Sequence, residues 1–71
     1  MKDIATFIGE SGGVMAVVYE ADDKSYWKVN YGPVIAEATT FHKIFLSETD
    51  ATNFAINYTD KGLKPTFLSE A

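Results

Sequence analysis

The sequence predicts an α+β domain: a meander of four antiparallel strands, then one C-terminal helix packed on one face of the sheet. Three observations carry this. Residues 4–46 fall into short β-branched and aromatic runs separated by Gly, Pro and Asp turns. One run, Tyr26-Trp27-Lys28-Val29-Asn30-Tyr31, alternates with a period of two, the mark of a half-buried antiparallel strand. Finally, Ser47 to Lys61 has apolar residues at helical spacing between a start signal and Gly62.

Taken in order, Ile4 to Ile8 is a short apolar-rich run, Gly9-Glu10-Ser11-Gly12-Gly13 is a glycine-rich turn, and Val14 to Glu20 is the second strand. Ala21-Asp22-Asp23-Lys24 makes a polar turn, since Asp is favoured where the backbone bends. The third strand follows over Ser25 to Tyr31, with Trp27, Val29 and Tyr31 as the best candidates to pack under the helix. Gly32-Pro33 ends it, and Val34 to His42 reads as the fourth strand, which Lys43-Ile44-Phe45-Leu46 either extends or follows as a short fifth. The faces of this last strand are mixed, so its register is the least determined.

The helix is the best-signalled element. Ser47 is placed to accept a bond from the backbone of Asp50, whose carboxylate can reach back, a capping box with Asp in place of Glu. Glu48 and Asp50 sit at its positive end and Lys61 near its negative end, and Gly62 is expected to close it in a left-handed conformation. Ala51, Phe54, Ala55 and Tyr58 recur at i, i+3, i+4 and i+7 as the buried stripe, with Ile56 nearly opposite, flanked by Thr52, Thr59 and Asp60. The sequon Asn57-Tyr58-Thr59 is read as part of the helix and not as a glycosylation site.

A chain of 71 residues is one compact domain, residues 1–71. A fold of this size buries only about 60% of what its unfolded chain exposes, so its core must be dense. With no cysteine and one histidine, neither a disulfide nor a structural metal is available, and packing or self-association must supply stability. We therefore expect a homodimer, with Ile56 on the helix and Phe67 and Leu68 in the tail as the candidate interface. No apolar run approaches the ~20 residues of a membrane span, and Met1 to Phe7 lacks the apolar stretch of a signal peptide. Residence in the cytoplasm is the expectation.

Composition narrows function mainly by subtraction. A net charge of −4, from six lysines against ten carboxylates and no arginine, disfavours nucleic acid as partner and leaves no guanidinium fork for phosphate. Gly9-Glu10-Ser11-Gly12-Gly13 fits G-x-S-x-G, but the strand-to-helix turn and large parallel sheet which that motif requires are missing, so a hairpin loop is the expected role. His42 is the one candidate base, and adjacent Asp22-Asp23 lack the spacing of a cation site. We expect no catalytic residue, metal or cofactor. Tyr26, Lys28 and Asn30, together with Tyr19, form the candidate face for a ligand or a single-stranded nucleic acid, because an aromatic, a cation and an amide there can stack and hydrogen-bond.

The order of four strands and a helix resembles that of the Whirly-type and coactivator-type single-stranded DNA binders, a likeness of architecture that does not fix function. Their basic groove has no counterpart here. The run Tyr26 to Tyr31, then Thr39-Thr40-Phe41, then Ser47 to Gly62 with Asp50-Ala51 and Phe54-Ala55, is similar to small uncharacterised proteins of marine cyanobacterial phages. That resemblance implies a phage accessory protein acting in the host cytoplasm and brings no catalytic residues. The expected function is a small non-enzymatic protein-interaction module with an unidentified protein partner; the alternative is a single-stranded nucleic-acid binder using the sheet aromatics.

Overall fold

A computed structural model describes residues 1–9, 12–34 and 40–63, with side chains as far as Asp60. Four strands, β1 (Lys2–Ile8), β2 (Val14–Glu20), β3 (Trp27–Pro33) and β4 (Phe41–Phe45), precede one helix, α1 (Glu48–Leu63). They form one antiparallel sheet in the order β1-β2-β3-β4, and α1 lies on one face of it, chiefly over β2. This is the predicted meander and helix. The shortest dimension is 15 Å, room for two layers and no third.

The β1–β2 loop closes through Gly9 N–H to Val14 O at 2.9 Å and Gly12 N–H to Gly9 O at 2.9 Å. Gly12 adopts φ 79°, a left-handed value that L side chains rarely take. Early in β1 a bulge separates the pair Asp3–Tyr19 from the pair Ala5–Val18 and leaves Ile4 as the extra residue. As a result the neighbours Ile4 and Ala5 both pack against the core, which simple alternation would forbid.

The third strand begins two residues later than its alternation suggests. Ser25 donates both its N–H (3.1 Å) and its hydroxyl (2.7 Å) to Asp23 Oδ1, an Asx turn that holds it in the loop. Lys24 N–H donates to Ala21 O, and Ala21 N–H to Tyr26 O, so the sheet starts only once these turn bonds are made. At its other end β3 runs on through Pro33, past its last pair with β4 (Tyr31 with Phe41), and Val34 N–H continues toward β2 by donating to Gly13 O.

The largest correction concerns β4. It spans Phe41–Phe45, not Val34–His42, so Lys43, Ile44 and Phe45 belong to the fourth strand and make no fifth. Residues 35–39, the body of the predicted strand, lie outside the described residues. Trp27 with Phe45, Lys28 with Ile44 and Asn30 with His42 set the register, which puts Phe41, Lys43 and Phe45 on the helix face.

Ala16, Val18, Val29, Ala51 and Ala55 are fully buried and make the centre of the core. The two alanines of α1 let the helix backbone come close to the sheet, and Phe54 and Tyr58 flank them as the stripe predicts. Tyr31 is the hub of the ring contacts, 4.9 Å from Phe54 and 5.0 Å from Tyr58 in edge-to-face geometry and 5.8 Å from Phe41. Asp50 N–H donates to Ser47 Oγ at 3.1 Å, the forward half of the predicted capping box, and among the described residues the return bond from Ser47 N–H to the Asp50 carboxylate is not formed. The helix then passes through Gly62 to Leu63 and does not stop at the glycine. Glycine costs a helix interior only about 1 kcal/mol, which the packing of α1 on the sheet can absorb.

Candidate functional site

Among the described residues α1 covers one face only, which leaves the other face of the sheet open, and the residues of that face follow from the register. They stand in rows: Asp3, Tyr19, Lys28 and Ile44; then Thr6, Val17, Asn30 and His42; then Ile8, Met15 and Gly32. Tyr19, Lys28 and Asn30 of the candidate ligand face therefore come together as expected. Lys28 Nζ lies 5.7 Å from the centre of the Tyr19 ring, a cation–π pair across neighbouring strands. Tyr26, the fourth, precedes β3 and is held through its backbone carbonyl by Ala21.

A hollow of about 470 Å³ opens on this face, lined by Met15, Val17, Tyr19, Asn30, Gly32, Pro33, Val34 and Thr40. Gly32 explains where it falls. In the row Ile8–Met15–Gly32 the glycine adds no side chain, so a gap remains beside Met15. Its described lining joins apolar surface to a phenol, an amide and a hydroxyl, which suits contact with a mixed surface.

The open face is apolar for an uncovered sheet. Ile8 is 61% exposed and Ile44 50%, and Met15, Val17 and Tyr19 between them are half-buried. The signal was present in the sequence: Val14 to Tyr19 is an unbroken apolar run, not an alternating one, as in strands that meet apolar neighbours on both faces. Gly32, Pro33, Val34 and Thr40 could not be anticipated, because their approach depends on β3 running past Tyr31.

Charge is divided between the layers. The open face carries Asp3, Lys28 and His42, whereas Glu20 shares a strand face with the helix side, Asp22 and Asp23 stand in the turn, and Glu48, Asp50 and Asp60 are on α1. Asp23 has its carboxyl held below the usual carboxylate range, first by the Ser25 hydroxyl and then by the Ser25 N–H, a structural effect remote from the open face. Among the described residues no three His, Asp or Glu groups come together as a metal site.

The remaining candidates are dispersed. Ile56, 36% exposed, is on the outer side of α1, and Phe67 and Leu68 lie outside the described residues, as does Ser11. His42 is exposed on the open face beside Asn30. Thr59, expected beside exposed Ile56, is instead 4% exposed, with its hydroxyl donating to the carbonyls of Ala55 and Ile56. The spacing Ala51, Ala55, Thr59 would have revealed this.

The described residues define a two-layer α+β domain, one sheet surface covered by α1 and the other left open among them. No family model, curated protein or solved structure matches the chain. No helix among the described residues is long and apolar enough to cross a membrane.

Proposed function

We propose that this chain is a small non-enzymatic protein-interaction module, a phage accessory protein by its resemblance, that receives a protein partner on the open face of its sheet. The observation that carries the reading is the apolar set Ile8, Met15, Val17, Tyr19 and Ile44 on a face that no described element covers. Apolar side chains gathered on a sheet face, with polar ones between them, are the composition of contact sites. The polar groups of its middle row, Thr6, Asn30 and His42, would give such a contact its orientation.

A photo-crosslinking residue at Thr6 or Ile8 tests it in cells producing the chain, with Asn57 on the outer side of α1 as the control position. One discrete protein adduct from Thr6 and Ile8 that is missing from Asn57 supports the reading. No adduct, or the same adducts from all three, overturns it. A turnover lost on changing Ser11 or His42 would make the chain an enzyme instead.

The cation–π pair of Lys28 and Tyr19 favours a second reading, single-stranded nucleic acid stacked on the open face. Trp27 faces α1, so its fluorescence does not report on that face; anisotropy of a labelled oligonucleotide does. Binding that falls steeply with salt and with Lys28→Ala supports this reading, and no binding at low salt removes it.

A further inference from the structure

We propose that the free edge of β4 pairs with β4 of a second copy, antiparallel about a two-fold axis at Ile44, joining two sheets into one of eight strands. This inference rests on the edge of β4 and shares only Ile44 and His42 with the face of the proposed function, whose test positions Thr6 and Ile8 lie on the opposite edge strand.

The two edges of the sheet differ. Along β1 the ladder is interrupted by the bulge at Ile4 and flanked by charged Lys2 and Asp3, devices that keep an edge from pairing. β4 is regular over its five residues, and its register with β3 is unbroken. It also displays apolar side chains in sequence: Phe41 is 59% exposed, Ile44 50% and Leu46, just past its end, 81%. Such an edge is a template for another strand.

A second copy is the occupant that fits, for reasons of charge and register. Residues 40–47 contain no Asp or Glu, although the chain has ten elsewhere, so two β4 edges approach without opposed carboxylates. A two-fold axis at Lys43 would set the two Lys43 ammonium groups directly opposite each other, which is unfavourable. An axis at Phe45 would leave Phe41 and His42 unpaired. With the axis at Ile44, Ile44 faces its own copy, Lys43 faces Phe45 of the second copy, and His42 faces Leu46. Lys43 already lies 5.8 Å from the Phe45 ring and 5.4 Å from the Phe54 ring within one chain, so a further aromatic partner matches its surroundings. Leu46, the most exposed apolar side chain among the described residues, gains a neighbour, and both helices lie on the same side of the joined sheet.

The absence of cysteine makes the register directly testable. Single variants Lys43→Cys, Ile44→Cys and Phe45→Cys are oxidised mildly and run without reductant, alongside light scattering of the native chain from micromolar to millimolar concentration. We expect a native mass of twice 7.8 kDa and a disulfide-linked dimer from Ile44→Cys, because only a residue on the axis meets its own copy. Ile44→Asp, at a position exposed within one chain, should keep the native circular dichroism and weaken association by about a hundredfold or more. A native chain that stays monomeric throughout overturns the proposal, as does a dimer that cross-links through Lys43→Cys or Phe45→Cys and not through Ile44→Cys. So does a folded Ile44→Asp dimer of undiminished affinity.

Discussion

Lys24 takes φ 59° although it is not glycine, because the four-residue loop between Ala21 and Tyr26 needs one left-handed residue before Ser25. Lys24→Gly removes that steric cost but gives the unfolded chain more freedom. The net expectation is a gain of about 0.5 kcal/mol, read from the urea midpoint. The neighbouring Asp23 accepts both turn bonds on Oδ1 and holds them more strongly as a carboxylate. Its folded pKa is lowered, so its contribution is present above the ordinary carboxylate pKa and is lost as pH falls through the folded value. Ser25→Ala removes the larger cause, and the Asp23 pKa followed by NMR titration should then rise toward the ordinary value. Trp27 differs from both, since its Nε1 is buried with no hydrogen-bond partner among the described residues. The indole fills volume under α1 beside the core.

At the scale of elements, helix α1 begins where its sequence says because the cap is local: Ser47 Oγ accepts from Asp50 N–H and Ser47 O accepts from Ala51 N–H. Ser47→Ala should lower stability by about 1 kcal/mol in urea unfolding, while Ser47→Asp, which preserves the acceptor, should cost far less. The strands behave differently. β2 is legible to its ends because apolar residues fill it, but β3 is displaced by two residues and β4 by seven at its start. In β3 the cause is the competition of the Asp23 turn for Ser25. In β4 it is a period that does not choose between faces, since Phe41 and Ile44 are both apolar and lie on opposite sides.

On the scale of the molecule, the whole core centres on two valines and three alanines, ringed by half-buried aromatics. Small residues at the centre bring α1 close to β2, and the aromatics fill the wider space toward β4, where Tyr31, Phe45, Phe54 and Tyr58 meet. Ala55→Leu should therefore force the layers apart and destabilise by about 1–3 kcal/mol in urea unfolding. In a domain of this length that is a large share of the roughly 4–10 kcal/mol expected in total. A leucine at exposed Asn57 is the control and should leave stability within about 0.5 kcal/mol.

The sequence by itself determined the class of fold, the capped start of the helix and its buried stripe. These depend on local chemistry: a period of two, a serine before a helical run, glycine and aspartate where the chain turns. Three of the four residues of the candidate ligand face, Tyr19, Lys28 and Asn30, were legible for the same reason, because β3 alternates and Tyr19 is its cross-strand neighbour. Only the tertiary structure decided which surfaces are left uncovered. The hollow beside Gly32, the bulge that guards β1 and the bare edge of β4 arise from strand register, and register is set by contacts between segments that no single segment encodes.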